Sequence, residues 1–506
     1  MSVSQPRFFA CLLLILCVYL AFGFGMAATR MPFCDEAYYG IPGRELYQHG
    51  TTATPVIEPA GNYLTDINRV TYWEMPLDLV VQAGWYHVFS ESLFSQRSIS
   101  VLSGALGLLC WLAVILRLTR NQAASLLAAA LLSVDYVFHN VISAGRSDSL
   151  SFGLGAAALA VLLLLSEKNL ALALLISHAL VVASGLTHPI GGITTLAAAI
   201  YLSVVFLHPR RWKPVHWLCI ALPYVAGAIG WLLYILRDVP AFRDQFGGNS
   251  AGRLWPLLHP LHALQGEIFG RYLSGFGWSP ELSPVHRIRL YVLAFYLCGL
   301  AASFAIAAIR TAPGVRHLQR LFIVMSVILF FFEGAKQSWY LIYVLPYYAI
   351  FGALMVQHFV RNTRGSNPSH DREGVVFRWL AIGAVTAVLI VQAGGLGYSI
   401  SLHHYRTKYL PAIAFLRTHI NPHSLVMGPA ELGLALPFGQ VVEDFGFGLY
   451  SGKTPDYLVL PSNTPLPELC RNKPAVYRHL ERMIASDFVR VYDRTPYIIL
   501  SRRSSP

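Results

Sequence analysis

Charge is scarce in this chain. Only 13% of its 506 residues are Asp, Glu, Lys or Arg, while 55% are hydrophobic; an ordinary soluble domain carries about 25% charged residues. Apolar runs of roughly the 20 residues needed to cross a bilayer recur along most of the length, which excludes a soluble globular protein and makes this a polytopic membrane protein. Acids are scarcer than bases, 26 against 38, for a formal net charge of +12. In a membrane protein such an excess belongs first to the cytoplasmic loops, so no nucleic-acid partner is expected. Cysteine is also rare: seven residues, none in a paired metal spacing. Cys11, Cys17, Cys110, Cys219 and Cys298 fall in apolar runs, where a thiol behaves as a small hydrophobe. Cys34 and Cys470 are left as the two that can face an oxidising compartment together, and their spacing gives little reason for a disulfide. The sequence also lacks internal repeats and low-complexity tracts. His188, His403 and His404 have no convincing ligand spacing, so neither metal nor other cofactor is expected.

What is there is a succession of spans. The first run, "RFFACLLLILCVYLAFGFGMAATR", exceeds the roughly 7 to 15 apolar residues of a signal peptide and reads as a retained helix with Arg7 inside. Further spans are expected near 98–116, 123–141, 148–165, 170–187, 189–207, 215–236, 288–309, 320–333, 338–360 and 376–399, about eleven in all. The segment 76–91, "PLDLVVQAGWYHVFSE", is apolar but short and rich in aromatics, and it carries Asp78, Gln82 and His87. It reads as a helix lying on the membrane interface. With that choice Arg117, Arg120, Lys168, Arg210, Arg211, Lys213, Arg310, Arg316, Arg320, Arg361, Arg364, Arg372 and Arg378 join Arg7 on the cytoplasmic side, as the positive-inside bias demands. Treating 76–91 as a span would put nearly all of them outside.

Three longer segments are then expected outside: 29–97, 237–287 and the tail from about 401. The tail changes character. "YLPAIAFLRTHI" has helical periodicity, "SLVMG", "DYLVLP", "DFVRVY" and "YIILS" are strand-like runs between turn formers, and another helix is expected near 475–486. The expectation is a transmembrane domain over 1–400 and a small extracytoplasmic α/β domain over 401–506. The inner loop "RNTRGSNPSHDREG" reads as a polar connector.

Sorting polar residues by side sends Asp35 and Glu36 in "PFCDEAYYG", Glu74, Arg97, Arg146 and Asp148 in "SAGRSDSL", His188 in "GLTHPIGG", and Glu333 and Lys336 in "FFFEGAKQSWYLIYVLPYY" to the outer side. Any one of the cations alone can be explained by snorkelling to headgroups. Together they put acids and bases on one face.

In order along the chain, "DEAYY", "WEMPL", "FSQRSISVLSG", "GRSDSLSFG", "LTHP" and "KQSWYLIYVLPYYAI" resemble the landmarks of the GT-C glycosyltransferases of the protein O-mannosyltransferase and lipid A aminoarabinose transferase type. The resemblance runs from about residue 8 to 360, and the tail is similar to the small outer α/β domain of bacterial relatives. It implies an inverting membrane glycosyltransferase that takes a sugar from a polyprenyl-phosphate donor and places it on a lipid, glycan or protein acceptor at the outer face of a bacterial plasma membrane. By motif, Asp35 matches the catalytic base, Glu36 and Glu74 match acids shaping the acceptor or sugar pocket, and Arg97 matches an arginine associated with phosphate. "GRSD" and "KQSWY" suggest that Arg146, Asp148, Lys336 and Tyr340 line the same cavity, and "LTHP" brings His188 into the substrate-binding set. The chemistry suits these types: a carboxylate can take the acceptor hydroxyl's proton, and cations can hold the departing phosphate.

The departures are specific. Where the aminoarabinose transferases have two basic residues, this chain has Tyr38 and Met75, so neither their donor nor their acceptor carries over. With those cations missing, Arg97, Arg146 and Lys336 are expected to share the phosphate and keep Asp35 ionised, and the tail is expected to supply no catalytic group. A polymerase or ligase of lipid-linked glycans is the rival reading. A transporter fits less well, because the inner parts of the helices are almost wholly apolar and no inverted repeat is present.

Overall fold

A computed structural model describes residues 4–278, 284–362, 372–462, 465–470 and 473–503. Most of the polar connector expected after residue 361, and 279–283 of the second long loop, lie outside the described residues. Among the described residues nine helices are long and apolar enough to cross a membrane, or ten if one bent pair counts as a span. They differ in how much protein covers them: 67% of the apolar window is buried in Leu93–Thr119 and only 6% in Pro214–Ile235, which leaves the latter an apolar surface suited to lipid.

Two of the expected spans are interrupted, for reasons visible in their residues. The run 123–141 divides into Gln122–Ser133 and Tyr136–Ile142, bent by 63°. Asp135 stands at the break, where its carboxylate caps the second piece by accepting from Phe138 N at 2.8 Å, the usual use of an Asp at a helix start. Its other oxygen accepts from Tyr296 Oη at 2.9 Å and Gln392 Nε2 at 2.7 Å, so this acid is fully served locally. The run 338–360 opens with a 3-10 turn, Ser338–Tyr343, before the helix Leu345–Asn362.

The chain divides into two compact units. The first comprises Met1–Met26, Ser98–Leu232 and Ala251–Tyr398 and is helical. In it, Leu290–Ala305 packs on Leu345–Asn362 with backbones in close approach: a Cβ at Gly299 would lie 2.6 Å from Gly352 N.

The second comprises Ala27–Arg97, Leu233–Ser250 and Ser399–Pro506. Its tail forms the α/β layer expected: helices Leu410–His419 and Pro474–Asp487 against strands β1 (Val426–Met427), β2 (Val441–Val442), β3 (Tyr457–Pro461), β4 (Phe488–Arg494) and β5 (Tyr497–Arg502). The order is β2-β1-β3-β5-β4, parallel through β2, β1 and β3 and antiparallel from β3 onward. The two-residue β2 carries too short a pattern to be read from sequence. Residues of the 27–97 segment pack on this tail: Ala37, Ile41, Val56, Ile57, Leu64 and Ile67 share a buried cluster with Ala430, and Ile57 pairs with Glu443 in a parallel bridge.

The helix Cys34–His49 (the DE helix) lies against the helix Pro76–Phe89, which at 14 residues is too short to cross a bilayer. Gln82 donates from Nε2 to Tyr39 O at 3.1 Å, and a Cβ at Gly43 would meet Gln82 at 2.6 Å. The buried Gln245 ties down the segment before Glu74, accepting from Tyr72 N and donating to Val70 O at 3.0 Å.

Overpacking the Gly299 contact should cost about 2 kcal/mol. Gly299→Val is expected to lower the unfolding midpoint of detergent-solubilised protein, and an unchanged midpoint would contradict the close approach.

Candidate active site

The acids Asp35 and Glu36 occupy the first turn of the DE helix, which Phe33 enters in extended conformation. A carboxylate there is favoured by the exposed N–H groups and the helix dipole. Neighbours in sequence, the two are separated by environment. Glu36 is fully buried and is gripped by the Arg97 fork, with Nε to Oε1 at 2.7 Å and Nη2 to Oε2 at 2.7 Å. Arg97 Nη1 donates to Ala27 O at 2.8 Å and Arg30 O at 3.0 Å. Its guanidinium is therefore filled by protein oxygens at 1% exposure. Sequence analysis associates Arg97 with phosphate; in the structure its fork binds Glu36. Gln96 reinforces the same turn, donating from Nε2 to Glu36 O at 2.8 Å, and it fills the space above Gly40, where a Cβ would meet its Oε1 at 2.2 Å.

Asp35 is half-buried, with the Cys34 thiol 3.8 Å from its Oδ1. Cys34 and Cys470 are both free thiols. One turn on, Tyr38 packs its ring edge-on to Trp73 at 5.6 Å and donates its hydroxyl to the Glu443 carboxyl of the tail. Glu74, expected in a substrate pocket, is buried in this same unit.

Two tail carboxyls, missed by sequence reasoning, belong to this neighbourhood. Glu431 accepts the Tyr497 hydroxyl at 2.8 Å on Oε1. Burial, with a smaller contribution from Glu36, pushes its carboxyl up to about 7. Glu443 is pushed up to about 8, by burial first and then by the charges of Glu431 and Asp35, against the hydrogen bond from Tyr38. Nothing in the sequence around "QVVED" marks this, because the contacts join residues some 400 positions apart.

The first unit brings the other expected residues together, with additions. Arg146, at the start of the helix Ser147–Leu165, donates from Nε to Asp148 Oδ2 at 2.8 Å and stands over the Trp339 ring at 4.9 Å. His188 Nε2 lies 3.8 Å from Asp148 Oδ1, and its ring lies 5.5 Å from that of Tyr340. Asp148 Oδ1 and His188 Nδ1 are buried with no hydrogen-bond partner among the described residues. Glu333, 0% exposed, accepts from Arg253 Nη1 at 2.5 Å, from Arg271 Nη2 at 2.6 Å and from Lys336 N at 2.9 Å. Arg271 also binds Glu267 at 2.6 Å, and Glu267 lies 3.1 Å from Lys336 Nζ.

Lys336 is thus turned into the protein at 4% exposure. Burial lowers its ammonium from the usual lysine value, opposed by Glu267. Arg253 differs, with 31% of its side chain exposed while it holds Glu333 and donates to Tyr340 Oη at 3.0 Å. Arg253, Arg271 and Glu267 were not singled out by sequence, although "SAGRLWP" offers an arginine beside small and aromatic residues in the second long loop. Among the described residues no group of three or more His, Cys, Asp or Glu is placed to hold a metal ion.

Removing Arg97 leaves the Glu36 carboxylate buried without its counter-charge, a loss of about 3–5 kcal/mol. Arg97→Met should therefore destabilise strongly, and Glu36→Leu with Arg97→Met should regain most of the loss in a denaturation midpoint. A double-variant loss equal to the sum of the two single-variant losses would show that the pair is not coupled.

No family model matches the sequence, and no curated protein matches it. Among solved structures it is similar to ArnT from Cupriavidus metallidurans bound to undecaprenyl phosphate, with 14% identity, 99% of each chain covered and a TM-score of 0.57. It is also similar to the apo oligosaccharyltransferase of Archaeoglobus fulgidus, with 11% identity, 90% of this chain and 70% of that one covered, and a TM-score of 0.55. The Archaeoglobus fulgidus oligosaccharyltransferase AglB in complex with an inhibitory peptide and a dolichol-phosphate covers 89% of this chain and 69% of its own at 12% identity and a TM-score of 0.50. The chain is a multi-pass membrane protein, and over its whole length it carries the fold of the GT-C glycosyltransferases.

Proposed function

We propose that this protein is a membrane glycosyltransferase that moves a sugar from a polyprenyl-phosphate donor to a lipid, glycan or protein acceptor at the outer face of a bacterial plasma membrane. The N-terminus is then cytoplasmic and the tail extracytoplasmic, which the clustering of Lys and Arg in the intervening loops supports. The observation that carries the reading is the separation of two adjacent carboxylates on a GT-C fold. Glu36 is fully buried and ion-paired with Arg97, whereas Asp35 is half-buried at the same helix start. Only an acid that substrate can approach can serve as base. Asp35 takes the acceptor hydroxyl's proton as that oxygen attacks the anomeric carbon from the side opposite the phosphate, inverting it. Glu36 positions the helix.

In the first unit Arg253 is the cation best presented to a leaving phosphate, with Arg146 and Lys336 contributing field from their ion pairs. Asp148 and His188, each with a buried atom lacking a hydrogen-bond partner among the described residues, suit sugar hydroxyls, and Tyr340 orients Arg253 by accepting its N–H. Glu74 borders the acceptor side. The donor of ArnT's relatives is not carried over, and the sugar and acceptor are left open. The similarity to an oligosaccharyltransferase favours, as a second reading, transfer of a longer glycan. A diphosphate-linked donor would distinguish it from the monophosphate expected here.

Asp35→Asn keeps the shape and removes the basicity, so transfer should fall by about 10² or more with donor affinity nearly unchanged. A dead Glu36→Gln beside an active Asp35→Asn would reverse the two roles. Arg253→Ala should weaken binding of undecaprenyl phosphate by about tenfold or more, since hydrogen bonds to charged groups contribute roughly 1.5–3 kcal/mol. Unchanged binding would remove Arg253 from the phosphate site.

A further inference from the structure

We propose that Glu443, supplied by the C-terminal tail, is a positioning residue for transfer: its carboxyl holds the Tyr38 hydroxyl and so sets the place of Asp35 one turn earlier on the DE helix. The inference rests on the reading of Asp35 as the base. It adds a positioning role to a tail expected to supply no catalytic group.

Glu443 is fixed by its backbone before its side chain acts. Its N–H donates to Val56 O at 2.7 Å and its carbonyl accepts from Glu58 N at 3.0 Å, which adds the 56–58 segment to the tail beside β2. A residue held on both backbone groups presents its carboxyl at a defined point. At that point the Tyr38 hydroxyl is bound, and the Tyr38 ring is fixed in turn by the edge of Trp73. Asp35 and Tyr38 are three residues apart on one helix, so they share a face. Movement of Tyr38 therefore moves Asp35 with it.

The groups facing Glu443 are Asp35, Tyr38 and Cys34 on the DE helix and Glu431 on the tail. Glu58, at the bridge, is ion-paired with Lys453 at 2.5 Å. Arg97, fully buried in this unit, is ion-paired with Glu36. A charged Glu443 would thus add a negative charge among Asp35 and Glu431.

The sign follows from the elevated carboxyl, about 8 against an ordinary 4.5. A group whose folded value is raised stabilises the fold fully below its unfolded value, and that contribution is lost as pH rises through the folded one. The contribution of Glu443 to the seam between 56–58 and the tail is therefore full below about 4.5, shrinks as pH rises and is gone above about 8, so the seam is tighter at pH 6.5 than at 8.5.

Two measurements on the full-length chain in membrane vesicles test this. The first is hydrogen exchange of the amides at 56–58 and 441–443 at pH 6.5 and 8.5, corrected for the intrinsic rate. Protection should drop at the higher pH in the wild type and stay in Glu443→Gln, whose amide oxygen accepts from Tyr38 but cannot ionise. The second is transfer of radiolabelled sugar to vesicle acceptors across the same range. Glu443→Ala should lose about tenfold or more in kcat through misplacement of the base, with the donor KM unchanged. Glu443→Gln should recover most of that loss and lack the alkaline fall of the wild type.

A Glu443→Ala variant at the full rate, or a Glu443→Gln variant that retains the alkaline fall, overturns the proposal. So does protection that changes with pH while transfer does not, because the role would then be structural. Asp35→Asn measured alongside keeps the failures apart. If it transfers normally the catalytic reading itself has failed; if it is inactive while Glu443→Gln keeps the alkaline fall, only this inference has.

Discussion

The start of the DE helix depends on one buried ion pair, Glu36 with Arg97. A carboxylate at 0% exposure is tolerable only with a counter-charge and full hydrogen bonding. Arg97 supplies both, and its remaining donors close on the carbonyls of Ala27 and Arg30. The start of the DE helix is thereby tied to the residues before it and to Gln96. That fixed turn leaves Asp35 at the accessible side. Burial holds the nearby tail acids Glu431 and Glu443 toward their neutral forms, and a neutral acid can lie beside a charged one without repelling it.

The first unit handles its charges differently. Glu333 is an anionic hub at the end of the helix Val315–Phe332, and Arg253, Arg271 and the backbone of Lys336 converge on it. Arg271 and Lys336 have their charge answered by Glu267. Arg253 differs in keeping 31% of its side chain exposed.

Much of this was legible in the sequence where it rested on local pattern. The apolar runs, the short helix at 76–91, the α/β tail and the adjacent acids at a helix start all follow from period, length and residue type. The bend at Asp135 was legible only in part, because an embedded acid marks a special position without saying that it caps a break. Contacts across hundreds of residues could not be read: Tyr38 with Glu443, and Glu333 with Arg253 and Arg271, obey no spacing rule. Arg97 shows the limit from the other side. Its motif pointed to phosphate, and only the geometry shows that a carboxylate already fills its fork. Cations missing at Tyr38 and Met75 were expected to be replaced by Arg97, Arg146 and Lys336; Arg253, 31% exposed, lies in a loop whose composition hides it.

The central claim, that this protein moves a sugar from a polyprenyl-phosphate carrier, is tested most directly by mass spectrometry of cell-surface glycolipids and glycoproteins from cells with and without the gene. The account predicts that a defined sugar mass disappears from one acceptor class without the gene, while its polyprenyl-phosphate-linked form accumulates. Identical surface glycans together with unchanged carrier-linked sugar would contradict it.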